Sequence, residues 1–153
     1  MEASIERASL SRDIDGLVEL EALSFQTPWT RQMLIDELSR VSVSEAFVVR
    51  FNQESLVGYC SWRLIEGELH LNNLAIHPDY RRQGLARLLL SHLAQDACSR
   101  GASSILLEVR SSNTAALGLY GRMGFKRMDR RPDYYRNPVE DAVLLSKSLT
   151  QNC

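Results

Sequence analysis

Residues 72–87 read NNLAIHPDYRRQGLAR and combine the end of a strand, a turn and the start of a helix. Leu74 and Ile76 end an alternating apolar run that begins at Leu69. Pro78 stops that strand, because proline has no N–H to donate to a neighbouring strand. The apolar residues then follow a helical period, at Leu85, Leu88, Leu89, Leu93 and Ala97. The stretch therefore predicts a strand, a loop and an α-helix that begins near residue 85.

The junction between this loop and the helix combines two small residues, Gly84 and Ala86, with Arg81, Arg82 and Arg87. The first N–H groups of a helix have no partner within the helix, and the helix dipole favours an anion there. The loop is not a P-loop, since no Gly-Lys-Ser/Thr follows, and it lacks the first glycine of a dinucleotide-binding fingerprint. The pattern indicates a cradle for a diphosphate group; the alternative is an ordinary basic turn at a helix start.

Length and composition favour one domain that spans residues 1–153 and ends in a flexible tail of a few residues. The formal net charge is -1, so neither direct nucleic-acid binding nor membrane association is expected. No apolar run reaches transmembrane length, and the first six residues lack the apolar segment of a signal peptide. We therefore expect a soluble cytoplasmic protein.

The cysteines and histidines show no metal-binding pattern. Cys60, Cys98 and Cys153 form an odd set without CxxC spacing, which favours buried or unreactive thiols at Cys60 and Cys98 in a reducing compartment. The histidines, at positions 70, 77 and 92, are scattered, so no metal site is expected.

Apolar periodicity and turn signals predict the element order β-α-α-β-β-β-α-β-α-β-β, a mixed α/β sheet. Ser11 is the expected N-cap of the first helix and Thr30 that of the second. Ser111, Ser112 and Asn113 offer N-cap oxygens for the fourth helix. The expected strands cover residues 5–8, 46–51, 56–65, 69–76, 104–109, 125–128 and 141–148, with a loop at 130–138.

Residues 104–109 (SILLEV) form an apolar run without alternation, which is typical of a strand covered by helices on both faces. The intervening helix places this strand parallel to residues 69–76, and such a pair can splay where a ligand lies between the strands. Glu108 is unusual here, since a buried carboxylate is costly unless it is paired or functional. Two interpretations stay open for Glu108: a structural ion pair with a nearby arginine, or a catalytic role. Tyr120, on the next helix, is either a core aromatic or a functional phenol.

Two motifs extend this pattern. The segments Arg81-x-x-Gly84-x-Ala86 and Asn113-x-x-Ala116-x-x-Leu119-Tyr120-x-x-x-Gly124-Phe125 resemble those of the GCN5-related N-acetyltransferase (GNAT) superfamily. Ala86 departs from the second glycine of many members, but it is still small. The resemblance implies a single, mixed and mostly antiparallel sheet, flanked by helices, whose central parallel strands are splayed for acetyl-CoA.

Within this superfamily the chain is similar to the bacterial ribosomal-protein-alanine N-acetyltransferases. The similar segments are Phe25-x-x-Pro28-Trp29, residues 73–85, residues 107–113, and Arg130-Arg131-x-x-Tyr134-Tyr135 followed by residues 140–142. This resemblance implies acetylation of the N-terminal alanine of small-subunit ribosomal protein eighteen, by a monomer or weak dimer. The alternatives are a broader protein N-terminal, lysine or small-amine acetyltransferase, or a non-catalytic acyl-CoA-binding module.

The resemblance also implies residue roles. Main-chain groups of Leu74 and Ile76, with Ala75 between them, would hold the pantetheine arm, and Asn113 would bind near the thiol. Glu108 would be the general base, directly or through water, and Tyr120 the general acid. The residues expected around the pyrophosphate are Arg82, Gln83, Gly84, Leu85, Ala86 and Arg87; those expected near the acceptor are Phe25, Trp29, Tyr134 and Tyr135. Acetyl-CoA would be the cosubstrate and coenzyme A the product, with no metal.

Overall fold

The computed structural model describes residues 2–40 and 44–149, in which four α-helices flank one seven-stranded sheet. The strands are β1 (Ala3–Arg7), β2 (Ser44–Phe51), β3 (Ser55–Ile65), β4 (Glu68–Ile76), β5 (Ser104–Arg110), β6 (Lys126–Tyr135) and β7 (Glu140–Ser148). The helices are α1 (Leu10–Ser24), α2 (Arg31–Leu38), α3 (Leu85–Ser99) and α4 (Thr114–Arg122), with a short 3₁₀ helix at Pro78–Tyr80. The predicted order is confirmed; the predicted tail of the last few residues lies outside the described residues.

The sheet has the order β1-β2-β3-β4-β5-β7-β6, and only β4 and β5 are parallel neighbours. These two strands pair at three positions and separate after His70 and Leu106. The next residues of β4 contain a bulge, because Leu71 and Asn73 face consecutive residues of β3 and Asn72 faces none. A bulge bends its strand, which explains why β4 leaves β5 at this point. The predicted splayed parallel pair is therefore confirmed.

Each face of the sheet carries its own apolar core. On one face, α3 packs its buried leucines against β2, β3 and β4, in a cluster that includes Leu89, Leu93 and Trp62. On the other face, α1 and α2 bury Leu17, Leu20 and Leu34 against Val48, Tyr59 and Ala75. The two faces are called the α3 face and the α1 face below.

The prediction that helices cover both faces of β5 is wrong. Burial alternates along this strand: Ile105, Leu107 and Val109 are buried in the α3-face core, whereas Glu108 is only partly buried. The reason is that α1 packs on β3 and β4, and α2 on β2. Consequently Glu108 lies on the α1 face, where a reactant can reach it.

The predicted N-cap is confirmed for α2 and is wrong for α1. Thr30 caps α2, since its hydroxyl oxygen accepts a hydrogen bond from the Met33 N–H at 3.1 Å, as predicted. Ser11 is not a cap, because α1 begins at Leu10 and its N-cap is Ser9. The carboxylate of Asp13 accepts a hydrogen bond from the Ser9 N–H at 2.9 Å. An acidic side chain that reaches back in this way stabilises a helix start without a hydroxyl cap.

The loop predicted at 130–138 is mostly strand, so this boundary was wrong. β6 continues to Tyr135, with Arg130 and Arg131 paired with Val143 and Ala142 of β7. The register shifts between Arg131 and Tyr135, which leaves Pro132 outside the ladder. Proline is tolerated there because β6 is an edge strand and the bulged segment needs no N–H from it.

Cys60 is a buried free thiol, as predicted, whereas Cys98 is disulfide-bonded, so the expected thiol is wrong at Cys98. Across residues 2–40 and 44–149, no helix is long and apolar enough to cross a membrane. The same residues contain no group of three or more His, Cys, Asp or Glu side chains arranged to hold a metal ion.

Candidate active site

Along the gap between β4 and β5, the main-chain groups of β4 that face away from β3 pair with no other strand among the described residues. The His77 N–H donates to the Val57 carbonyl of β3 at 2.8 Å, and main-chain groups of alternate residues point to opposite edges of a strand. Ala75 therefore faces β3, while Leu74 and Ile76 face the gap. The Ile76 carbonyl there accepts one hydrogen bond, from Arg81 Nε at 3.0 Å. Two of the three predicted pantetheine residues thus present main-chain groups to the gap, and Ala75 does not.

The loop after β4 leads into the N-terminus of α3. Gly84 is the N-cap with φ +79°, and no side chain caps the helix. A Cβ placed on Gly84 would meet nothing within 4 Å, so the space above the first turn is open. Arg82 and Arg87 have no carboxylate within 4.0 Å among the described residues, whereas Arg81 is held by Ile76. Uncapped N–H groups beside two unpaired guanidiniums fit a pyrophosphate group.

Glu108 is paired, as one of the two sequence interpretations required. Its Oε1 lies 3.1 Å from the Nη1 atom of Arg131, and its side chain remains 29% exposed. Interaction with the same carboxylate is the main reason that the pKa of Tyr134 is raised, so the Tyr134 phenol lies near Glu108. The edge strand β6 thus brings Arg131 and Tyr134 over Glu108. Partial exposure keeps this carboxylate accessible, so the ion pair and a catalytic role are compatible.

Tyr120 approaches the same region from the α3 face. It is 8% exposed, lies in the α3-face core and contacts the ring of Phe125 edge-on at 5.3 Å between centroids. Burial raises the pKa of Tyr120, with a smaller contribution from Tyr135. No hydrogen bond engages its hydroxyl among the described residues. The phenol therefore stays protonated at neutral pH and has its donor uncommitted.

Asn113 is the N-cap of α4, and its Oδ1 accepts from the Ala116 N–H at 3.1 Å. This confirms one of the three predicted N-cap residues, and the cap occupies the side-chain oxygen of Asn113. Only the amide NH₂ of Asn113 is left for a ligand near the end of β5.

The segment between α1 and α2 holds two of the four predicted acceptor-side residues. Phe25 is 37% exposed, whereas Trp29 packs against the α1-face core. These two residues lie on the face of the sheet that carries Glu108, Tyr134 and Arg131. The four predicted acceptor-side residues are therefore divided between this segment, with Phe25 and Trp29, and β6, with Tyr134 and Tyr135.

A buried polar network in this segment was missed by the sequence analysis. The carboxylate of Glu21, 1% exposed, accepts hydrogen bonds from the Trp29 N–H at 2.7 Å, the Tyr59 hydroxyl at 2.5 Å and Asn73 Nδ2 at 2.8 Å. The available signal was the helical period, which placed a glutamate on the apolar face of α1 beside Leu17. The partners of Glu21 could not be read from that pattern.

Comparison with known proteins assigns the family. The model of the Acetyltransferase (GNAT) family matches residues 14–125, and the chain belongs to this family. The protein named ribosomal protein bS18-alanine N-acetyltransferase from Escherichia coli K12 is 39% identical over 140 residues, which cover 90% of this chain and 93% of that one. The protein of the same name from Haemophilus ducreyi is 30% identical over 143 residues, 92% of this chain and 97% of that one.

A solved structure supports the same placement. The crystal structure of the ribosomal-protein-S18-alanine N-acetyltransferase from Escherichia coli superposes with a TM-score of 0.89. That superposition covers 99% of both chains, with 28% identity over the structural alignment. The predicted superfamily and fold class are therefore confirmed.

Proposed function

We propose that this protein is an acetyl-CoA-dependent Nα-acetyltransferase whose acceptor is the N-terminal alanine of small-subunit ribosomal protein bS18. The observation that carries the proposal is a carboxylate, Glu108, and a protonated phenol, Tyr120, on opposite faces of the sheet beside the gap between β4 and β5. A thioester lying in that gap would be accessible to both groups. The names of the relatives from Escherichia coli and Haemophilus ducreyi support the acceptor.

Different residues around the gap would bind different parts of acetyl-CoA. Main-chain groups of Leu74 and Ile76 would pair with the pantetheine arm, as a neighbouring strand would. The pyrophosphate would bind the N–H groups of Gly84, Leu85 and Ala86. The side chains of Arg82, Gln83 and Arg87 would surround it, and the amide NH₂ of Asn113 would approach the thiol end.

The ordinary pKa values of amines favour an N-terminus over a lysine as the acceptor. Attack on a thioester needs a neutral amine, and the pKa of an α-amine is about 7.7–8.0 against about 10.4 for lysine. At pH 7 roughly a tenth of an α-amine is neutral, but less than a thousandth of a lysine side chain. One carboxylate acting through water is therefore sufficient to deprotonate an α-amine.

Two residues of this chain would carry out the two proton transfers of the reaction. Acetyl-CoA supplies an activated acyl group, whose C–S bond breaks as the C–N bond forms. Glu108 accepts the proton that the amine loses, directly or through water, in place of its present partner Arg131. Tyr120 donates its hydroxyl proton toward the sulfur, so that the leaving group departs as a thiol. The phenol of Tyr120 is protonated at neutral pH, so this proton is available when the sulfur becomes negative.

The acceptor proposal is tested by mass spectrometry of a peptide panel incubated with the purified protein and acetyl-CoA. We expect acetylation of a peptide with the bS18 N-terminus, and none when its α-amine is already blocked. Equal rates on serine-starting or lysine-only peptides would favour a broader acetyltransferase. No transfer to any amine, with acetyl-CoA still bound, would indicate a non-catalytic binding module.

The two catalytic roles predict a loss of turnover without a loss of acetyl-CoA binding. Glu108→Gln and Tyr120→Phe should each lower kcat about 100-fold or more, the contribution expected of a general base or acid. Steady-state kinetics and calorimetric titration of acetyl-CoA provide the measurements. Glu68→Gln is the matched control, since Glu68 lies at the closed end of the same parallel strand pair, opposite Ser104. Unchanged kcat in both active-site variants would contradict the mechanism.

Two broader features belong to the same proposal. Residues 1–153 would act as one acetyltransferase domain, because one sheet carries both binding faces. A ribosomal acceptor would place the protein in the cytoplasm.

A further inference from the structure

Within the described part of the chain, the buried carboxylate of Glu21 accepts hydrogen bonds only from uncharged donors. Its three partners are the Trp29 N–H, the Tyr59 hydroxyl and the Asn73 amide. No lysine, arginine or histidine nitrogen lies within 4.0 Å of Glu21 among the described residues. A buried carboxylate without a cation is costly, and an apolar side chain of similar size would often stabilise the fold as well or better.

Asp13 shows how the same helix treats a buried carboxylate with a structural role. Asp13 is 2% exposed and forms an ion pair with Arg50, which also binds Glu6. Its neighbours belong to β1, β2 and the start of α1, away from the gap. Glu21, two helical turns further along α1, instead connects the segment between α1 and α2 with β3 and with β4, the strand that borders the gap.

The three partners of Glu21 place it at the acceptor side. Asn73 follows the β4 bulge at which β4 leaves β5, and its amide also donates to Tyr59 at 3.0 Å. Trp29 lies in the segment between α1 and α2, which borders the α1 face that carries Glu108. One carboxylate thus sets both the position of this segment and the orientation of the Asn73 amide at the mouth of the gap.

We propose that Glu21 is a positioning residue for the acceptor: it holds the Trp29 segment and Asn73 in the arrangement that admits the amine to Glu108. The inference rests on the proposed function, since it assumes that the acceptor enters on the α1 face. Glu21 itself is buried and does not touch the acceptor. Its removal should therefore change acceptor binding and leave acetyl-CoA binding alone.

The test compares Michaelis constants for the two substrates. In Glu21→Leu the KM for the bS18 N-terminal peptide should rise about tenfold, because the Trp29 segment and the Asn73 amide lose the carboxylate that positions them. The KM for acetyl-CoA should change less than twofold. Glu21→Gln should restore part of the peptide KM, because its carbonyl oxygen can still accept from the Trp29 N–H.

Two further variants separate a loss of positioning from a loss of folding: Tyr59→Phe and the control Asp13→Asn. Tyr59→Phe removes one donor and retains the core ring, so it should raise the peptide KM even if Glu21→Leu does not fold. Asp13→Asn perturbs another buried carboxylate of α1 and should lower the melting temperature without changing the peptide KM. Hydrogen exchange at the Trp29 amide should accelerate in the Glu21 and Tyr59 variants and not in Asp13→Asn.

The outcomes separate this inference from the proposed function. An unchanged peptide KM in folded Glu21→Leu and Tyr59→Phe, or an equal rise for both substrates, would overturn the positioning role. A wild-type protein that acetylates no peptide would instead overturn the proposed function.

Discussion

The phenol of Tyr135, at the end of β6, lies within the electrostatic influence of Glu108. Burial raises the pKa of Tyr135 to about 12, with further contributions from the charges of Glu108 and Tyr134. The guanidinium of Arg110, 4.5 Å above the ring, acts in the opposite direction. Because the pKa is higher in the folded state than its ordinary value of 10.0, the folded protein holds this proton more tightly than the unfolded chain.

This difference predicts the direction of alkaline destabilisation. The contribution of Tyr135 to stability is complete below pH 10 and is lost as the pH rises toward about 12. The free energy of unfolding should therefore fall across this interval, and Tyr135→Phe should make the fall less steep. The two proteins can be compared by titrating tyrosinate absorbance. The Tyr135→Phe curve should lack one phenol that titrates near pH 12 in the wild-type protein. If the phenol missing from the variant titrates near pH 10 in the wild-type protein, the raised pKa of Tyr135 is contradicted.

The N-terminus of α3 is the element that would hold the diphosphate. A carboxylate placed above its first turn should repel the pyrophosphate and occupy the N–H groups. Gly84→Asp is therefore expected to weaken acetyl-CoA binding at least tenfold in a calorimetric titration. The positive φ of Gly84 adds a backbone cost of about 1 kcal/mol to the folding free energy for any side chain.

Gly67 provides the matched control for that backbone cost. It lies in the turn between β3 and β4, has φ +80°, and a Cβ there would also meet nothing within 4 Å. Gly67→Asp should lower the melting temperature at least as much, since it gains no helix cap, and leave acetyl-CoA binding unchanged. Equal losses of affinity in the two variants would show that the start of α3 is not the cradle.

The molecule as a whole carries two cores on one sheet. Leu34, a fully buried residue of α2, belongs to the α1-face core, whereas Trp62 belongs to the α3-face core. The strands between them are shared, so the two cores should unfold together.

A single-tryptophan protein tests this coupling, since the chain has only two tryptophans. In Trp29→Phe the fluorescence of Trp62 reports on the α3-face core alone. Adding Leu34→Ala, on the opposite face, should lower the unfolding free energy by about 2–5 kcal/mol. The Trp62 transition should shift with the loss of helical circular dichroism. A Trp62 transition that does not move would show that the cores unfold separately.

Local sequence was sufficient for features that depend on neighbouring residues. The element order, the Thr30 cap and the loop before α3 follow from periodicity, hydroxyl caps and proline, which act within a few residues. The separation of β4 from β5 was also anticipated, but its cause, the bulge at Asn72, depends on the register against β3. The extent of β6 was missed, since pairing with β7 overrides the turn signals around Pro132.

The sequence alone determined which residue types surround the gap: a carboxylate and a phenol near it, and small and basic residues at the start of α3. Only the tertiary structure decided their partners. Arg131 reaches Glu108 because β6 returns along β7, and Asn73 reaches Glu21, 52 positions away, because α1 packs across β4. Such contacts depend on how distant segments fold against each other, and no local pattern of side chains encodes that arrangement.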